Sequence, residues 1–131
     1  MDTEARLRSY TNWLRQQYQI THLPDSNSDE ISTPFLNHLN DNIRLYVSIL
    51  NNDKIQLDDD GETLTNLELS GINLSAPLPM RIIQETCQNS AITQNEDTLQ
   101  VISNTTNFPV IMHQLISTIL RIDDISFLKL P

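Results

Sequence analysis

The stretch "DDDGETLTNLELSG", residues 58–71, holds both glycines of the 131-residue chain, three consecutive carboxylates and an amphipathic run. Gly61 follows an aspartate in a turn pair, and Glu62 stands where the N-terminus of a helix favours negative charge. Thr63 or a neighbouring aspartate can cap that helix. Gly71 stands where a left-handed residue ends a helix. We therefore interpret the stretch as a strand, a turn and a helix, in which both glycines are structural.

The three aspartates also raise the alternatives of a cation site and a phosphate site. Calcium-binding loops need oxygen ligands at positions 1, 3, 5 and 12 around a glycine at position 6. With the glycine of this turn at position 6, Asp58 and Asp60 fit, but position 1 becomes Gln56 and position 12 becomes Leu67. A phosphate would be repelled by the carboxylates, and no lysine follows. We expect neither a metal nor a cofactor here.

The N-terminal segment, residues 3–18, has the spacing of an amphipathic helix. Its apolar residues recur every three or four positions, at Leu7, Tyr10, Leu14 and Tyr18. This pattern predicts a helix with one side facing a core.

Strands are predicted on both sides of the opening stretch. After the turn-forming segment "HLPDSNSDE", the strands "EISTPFL", "IRLYVSIL" and "KIQL" form an antiparallel meander, and "AITQ" and "TLQVIS" form a later hairpin. In "IRLYVSIL" the alternation places Ile43, Leu45, Val47 and Ile49 on one face.

Two further helices are predicted. The segment 72–90 has Ser75 as a candidate cap and places Met80, Ile83 and Cys87 on one face. Asn107 is expected to cap the last helix, "FPVIMHQLISTIL", which is the main support of the core, with "RIDD" as a bend or a polar end. Its wide apolar stripe consists of Phe108, Met112, Leu115, Ile116 and Ile119.

These elements predict one α+β domain over residues 1–131, with a mostly antiparallel sheet of about five strands in the order α-βββ-α-α-ββ-α. The first and last helices are expected on one face of the sheet. The short helix within residues 58–71 is expected to act as a connector.

The charge balance of the chain is acidic. Seventeen acidic residues against eight basic ones give a formal net charge of −9 and a pI near 4.5. Such a chain is repelled by a phosphate backbone, so we expect no direct binding to nucleic acid or to an anionic membrane. Because the N-terminus is charged from the second residue and no apolar run is long enough for a span, we expect a cytoplasmic protein.

Catalytic and metal-binding patterns are weak. The histidines, His22, His38 and His113, have no second ligand at metal spacing, and Cys87 has no partner for a disulfide. We expect His113 to be partly buried and bonded to a neighbour. The alternative is a general base paired with the aspartates at 58–60 or at 123 and 124. No catalytic residue is assigned.

The segments "STPFLNHLNDNIRLYV", "LDDDGETLTNLELSGINLSAP" and "NFPVIMHQLISTILRIDD" resemble a bacterial domain-of-unknown-function family numbered 1828. Its members show a Thr-Pro-Phe segment, an Asp-Asp-Gly turn that leads to a Leu-Glu-Met-Ser-Gly-like helix, and a late Phe-Pro followed by a histidine. The resemblance implies a small α+β protein, often from prophages and other mobile elements. It brings no established activity. The third predicted helix departs from the family, because it is mostly apolar where a basic stretch is expected.

From charge and resemblance we expect a non-enzymatic, acidic protein-binding module of a phage or mobile element. An inhibitor of a host defence nuclease or CRISPR complex, acting as a nucleic-acid mimic, would use an acidic surface in this way. The partner would be a protein with a basic surface, and a homodimer is left open. The residues expected to bind the partner are Asp58, Asp59, Asp60, Glu62 and Glu68. The alternatives are an escort similar in topology to class I chaperones of type III secretion and, third, a hydrolase or nuclease.

Overall fold

The computed structural model describes residues 1–51 and 53–128, and this part of the chain has four α-helices and six β-strands. In chain order they are α1 (Thr3–Gln16), β1 (Gln19–Leu23), β2 (Ser28–Leu36), β3 (Asn42–Asn51), β4 (Lys54–Asp58), α2 (Glu62–Leu69), α3 (Pro77–Asn89), β5 (Thr93–Asn95), β6 (Thr98–Asn104) and α4 (Phe108–Asp123). Short 3-10 turns, Thr105–Asn107 and Asp124–Leu128, lie on either side of α4. The predicted α+β class is confirmed, with one strand more than expected.

All six strands form one sheet in the order β1-β2-β3-β4-β6-β5, and every neighbouring pair is antiparallel. The meander and the late hairpin are both confirmed, and β6 joins them by pairing with β4. The extra strand, β1, covers residues 19–21, for which the sequence predicted no element, and the first two residues of the predicted turn segment. Four of its five residues are exposed, so it lacks the apolar alternation that reveals a half-buried strand.

Helices α2, α3 and α4 cover one face of the sheet. The other face, which we call the open face, exposes side chains such as Arg44 and Ile102. Leu45 of β3, Leu57 of β4 and Leu99 of β6 point towards the helices and are 0% exposed. The predicted inner face of β3 is correct only for its first half, because Ile49 is 71% exposed beyond the area that the helices cover.

Helix α4 supports the core as predicted. Five of its apolar residues are buried: Ile111, Leu115, Ile116, Ile119 and Ile122. Asn107 does precede the helix, but its side-chain amide donates to Ser103 Oγ instead of capping α4. The expected bend or polar end at "RIDD" is wrong at Asp123, which is the last residue of the helix and is only 5% exposed.

Helix α2 is more than the connector that was expected. Leu64 and Leu67 are buried in the core, and the helix contacts both α4 and β6. Helix α3 begins at Pro77 after an N-cap at Ala76, so the expected Ser75 cap is wrong. Cys87 is buried on its inner face, where burial raises the pKa of the thiol.

Helix α1 departs most from expectation. No residue of Thr3–Gln16 is buried, and Leu7, Tyr10 and Trp13 are 51–60% exposed. The first helix therefore does not pack on the sheet beside the last one as predicted. No helix in the described ranges is both long and apolar enough to cross a membrane.

Candidate functional site

The turn between β4 and α2 is built around the carboxylate of Asp59, which is 1% exposed. Its Oδ1 accepts hydrogen bonds from the backbone N–H of Gly61 at 2.9 Å and of Leu99 at 3.0 Å. Its Oδ2 accepts from the N–H of Thr63 at 3.1 Å, which satisfies one of the free donors at the start of α2. A neighbouring aspartate thus caps this helix, as the sequence allowed.

Burial raises the pKa of Asp59, although the three N–H donors favour its ionised form. The carboxylate is enclosed between β6 and α2 and cannot touch another macromolecule. The expectation that Asp59 binds a partner is therefore wrong, because its side chain holds the turn together.

Both glycines of this region have left-handed backbone, with φ of +75° at Gly61 and +95° at Gly71. At the end of α2 the Gly71 N–H donates to Glu68 O, and the Ile72 N–H donates to Leu67 O. These two bonds form a Schellman motif, in which a left-handed residue lets the chain satisfy the last carbonyls of the helix. Gly61 and Gly71 thus have the backbone conformation that their predicted structural roles require.

Two of the other expected contact residues are engaged within the chain. Asp58 is half-buried on the open face of the sheet, where its carboxylate accepts from Gln56 Nε2 and from the N–H of Asp60. Glu62 forms an ion pair with Arg44, whose guanidinium also lies 4.0 Å from a carboxylate oxygen of Glu30. Glu62 is therefore paired with a cation, whereas Asp58 accepts hydrogen bonds from neutral donors.

Burial raises the pKa of Glu62, and the neighbouring charges of Asp59 and Asp60 add to the rise, whereas Arg44 opposes it. Tyr46 of β3 lies close to these charges, and its hydroxyl donates to Oε1 of Glu30 in β2 at 3.3 Å. Burial is also the main cause that raises the pKa of Tyr46. The open face therefore has a network of paired charges near its middle.

Three exposed carboxylates remain around α2, and we call them the acidic surface: Asp60, Glu68 and Asp97. A methyl group placed on Gly61 would lie 3.4 Å from Asp97 Cβ, so Asp97 adjoins the turn that contains Asp60. Glu68 and Asp97 line one shallow groove beside α2. In residues 1–51 and 53–128 none of the three forms an ion pair. Asp97 was not predicted, because it lies 36 positions beyond Gly61 in the sequence.

A second polar cluster joins the β2–β3 turn to the ends of α2 and α4. His38 Nδ1 lies 2.7 Å from Asp123 Oδ1, and His38 Nε2 lies 2.7 Å from Ser70 Oγ. The backbone N–H of His38 also donates to Asp123 Oδ2 at 2.7 Å. The histidine and aspartate side chains are only 12% and 8% exposed, so this cluster is largely shielded from solvent.

The position of one hydrogen decides the chemistry of this cluster. Because a carboxylate only accepts, Nδ1 of His38 carries a hydrogen. The single hydroxyl hydrogen of Ser70 can go to Asn66 O, which is 2.8 Å away, or to His38 Nε2. In the second arrangement the three side chains form the hydrogen-bond order serine, histidine, aspartate that is used in nucleophilic catalysis.

A small polar cavity of about 110 Å³ lies between the two clusters. Its lining includes the acidic residues Asp59, Glu62 and Asp123, together with Asn66 and Arg44. The cavity connects the turn before α2 with the end of α4. Within the described residues no three His, Cys, Asp or Glu side chains are grouped to hold a metal ion.

The expectations for His113 are wrong. Its side chain is exposed on α4, and Asp123, one of the acids considered as its partner, is bonded to His38 instead. Ser70, His38 and Asp123 each fall in one of the three segments that carry the family resemblance. Spacing alone could not connect them, because 85 residues separate His38 from Asp123.

The fold defines a small α+β protein with a six-stranded antiparallel sheet and three helices on one face. The family model described as "Domain of unknown function DUF1828" matches residues 33–122, which is more than half of the chain. The chain therefore belongs to this family. No curated protein and no solved structure matches it significantly.

Proposed function

We propose that this chain is a non-enzymatic protein-binding module that presents an acidic surface to a partner with a basic surface. The observation that carries the proposal is the group Asp60, Glu68 and Asp97, exposed carboxylates that are left without ion pairs in the described part of the chain. A folded domain with a formal net charge of −9 also attracts cationic partners over a distance.

The acidic surface stands on a rigid base. Asp60 and the start of α2 are fixed by the buried Asp59, and Glu68 precedes the Schellman turn at the end of the same helix. A backbone that is already fixed loses little conformational entropy on binding, so these positions suit recognition of a fixed set of arginines or lysines.

Proteins that bind DNA or RNA have such basic surfaces, and an acidic module can occupy them in place of the phosphate backbone. We extend the proposal to a partner of this class, a host defence nuclease or CRISPR complex, which a phage or mobile element would need to inhibit. The acidic surface would then act as a nucleic-acid mimic.

The test compares two triple charge reversals. The first is Asp60→Lys, Glu68→Lys and Asp97→Lys, and the matched control is Asp25→Lys, Asp53→Lys and Glu85→Lys, which changes three exposed acids elsewhere by the same charge. Wild type and both variants are titrated into DNA cleavage assays with purified defence nucleases and CRISPR effector complexes at low and high salt.

The proposal predicts inhibition by wild type and by the control triple, loss of inhibition by the first triple, and weaker inhibition at high salt. Equal potency of the two triples would refute the role of the acidic surface. An absence of inhibition in every system would refute the nuclease partner. In that case, capture of basic proteins from a bacterial lysate by wild type, but not by the first triple, would still support a protein-binding module with an acidic surface.

The hydrogen-bonded chain Ser70, His38 and Asp123 favours a second candidate function, hydrolysis with Ser70 as the nucleophile. We rank it second because an acyl-transfer site also needs N–H donors for the oxyanion. The N–H groups of Gly71 and Ile72, which follow the serine, already donate to the carbonyls of α2. Labelling of Ser70 by a fluorophosphonate probe, abolished in Ser70→Ala and in His38→Ala, would bring this candidate to first place.

A further inference from the structure

Helix α1 and strand β1 form one end of the molecule, and this end exposes apolar surface that none of the residues 1–51 and 53–128 covers. Leu7, Tyr10 and Trp13 of α1 are 60%, 51% and 54% exposed, and Ile20 of β1 is 67% exposed. Tyr10 and Trp13 stack on each other with ring centroids 6.4 Å apart, so the two largest of these side chains form one surface. Adjacent apolar side chains of this size mark an interaction site.

An open cleft of about 690 Å³ continues this surface towards α4. Leu14 and Tyr18 line it on the side of α1, Ile31 lies at its floor, and Phe108 and Met112 belong to the α4 side. The cleft is wide and mainly apolar, which is the form of a groove that accepts an amphipathic helix.

Strand β1 lies at the edge of the sheet, and within the described residues its outer side has no partner strand. Exposed edges are usually protected by lysine, proline or short length. The other edge follows this rule, because β5 has three residues, whereas β1 has five residues, "QITHL", and contains neither lysine nor proline. An unprotected edge next to an apolar helix indicates an edge that another chain covers.

The overall charge distribution favours a second copy as the occupant. Helix α1 carries three arginines, Arg6, Arg8 and Arg15, and one acidic residue, Glu4, in a chain whose formal net charge is −9. The remainder of the molecule is therefore strongly acidic. A basic amphipathic helix is attracted over a distance to the acidic domain of a second copy, which favours the encounter of two copies.

The exposed area is sufficient for a dimer. A large aromatic side chain buries roughly 150–250 Å² when fully covered, so Tyr10 and Trp13 each leave on the order of 100 Å² uncovered. With Leu7 and Ile20 the apolar part reaches about 400 Å² per copy on the same scale. Because about 57% of a typical interface is apolar, this corresponds to roughly 700 Å² per partner, close to the standard value.

We propose that the α1 and β1 end is the interface of a two-fold homodimer, in which α1 of each copy packs on the cleft and the β1 edge of the other. The repeated contact satisfies the self-complementarity that a two-fold interface requires. This interface is separate from the acidic surface around α2, so the dimer and the proposed function can be tested independently.

The experiment measures molar mass by sedimentation equilibrium over a range of protein concentrations. The variants Leu7→Glu and Trp13→Glu change the interface, and Leu69→Glu and Leu78→Glu are controls that place the same charge on exposed apolar residues of α2 and α3. Since no residue of α1 is buried, the interface variants are expected to keep the fold, which far-UV circular dichroism checks.

The wild type and both controls are expected to be dimers, and each interface variant is expected to raise the dimer dissociation constant about 30-fold or more. A monomeric wild type at every concentration would overturn the proposal and leave this end for a different partner. Dimers that persist unchanged in Leu7→Glu and Trp13→Glu would place the interface elsewhere and overturn it as well.

Discussion

His38 and Asp123 share two hydrogen bonds, one from the imidazole Nδ1 and one from the backbone N–H of the histidine, each 2.7 Å long. Asp123 is the last residue of α4, and His38 lies in the turn between β2 and β3. The contact therefore closes one end of the domain, and the carboxylate is the acceptor for both donors.

A double-mutant cycle measures this contact. Asp123→Ala removes both acceptors and leaves a backbone N–H unpaired, so it should reduce the free energy of unfolding more than His38→Ala does. For the pair we expect a coupling energy of about 2 kcal/mol in urea denaturation. Strict additivity of the two substitutions would show that the two side chains do not interact in solution.

The buried carboxylate of Asp59 should be more important for stability than that of its neighbour. Asp59→Asn replaces one carboxylate oxygen, which accepts a hydrogen bond from a backbone N–H, with an amide group that can only donate. We expect this change to lower the free energy of unfolding by about 2 kcal/mol. Asp60→Asn is the matched control, since Asp60 is exposed and asparagine tolerates its φ of +54°. The control should change stability by less than about 0.5 kcal/mol. Equal effects in chemical denaturation would contradict the assignment of Asp59 as the structural residue.

Gly71 should be intolerant of a β-branched side chain for a backbone reason alone. A Cβ placed on it meets no atom within 4 Å, so any loss of stability comes from its φ of +95° and not from a clash. We expect Gly71→Val to destabilise the fold by roughly 1 kcal/mol or more, and Gly71→Asn by less. Thermal denaturation checks this order, and an unchanged midpoint for Gly71→Val would refute it.

Glu62 should make stability depend on pH. Its pKa in the folded state is raised above its ordinary value of 4.5, so the native state holds this proton more tightly than the unfolded chain does. The contribution is fully present below pH 4.5 and is lost as pH rises through the folded-state pKa. The unfolding free energy of wild type relative to Glu62→Gln should therefore fall from about pH 4 to pH 7. A relative free energy that rises over this range would show that the ion pair with Arg44 outweighs burial.

Local patterns predicted the parts of the fold that local forces decide. The turn and helix of residues 58–71 carry their own start and stop residues, and the inner side of α4 repeats at the helical period. The same patterns could not show which aspartate of 58–60 is buried, because three identical neighbours differ only in where the turn directs them. Periodicity also predicted that α1 is amphipathic, but it could not show which surface the apolar side of the helix contacts.

Long-range geometry accounts for what the sequence left unpredicted. Strand β1 is exposed and so has no burial alternation, and its existence depends on pairing with β2. The His38, Ser70 and Asp123 cluster joins three elements, and no spacing rule connects residues so far apart. The pairing of His38 with the buried Asp123 at the end of α4 could therefore be recognised only in the folded chain.

The bond from the Leu99 N–H to Asp59 links the formation of α2 to that of the sheet. Since one carboxylate accepts from β6 and from the first turn of α2, we expect the pairing of β6 with β4 and the start of α2 to stabilise each other. The amide hydrogens of Gly61, Thr63 and Leu99 should then exchange with solvent deuterium through a single cooperative opening, with one common free energy of opening once each intrinsic exchange rate is taken into account. We therefore expect strand β4, helix α2 and strand β6 to open as one unit, with little hinge motion between the helix and the sheet.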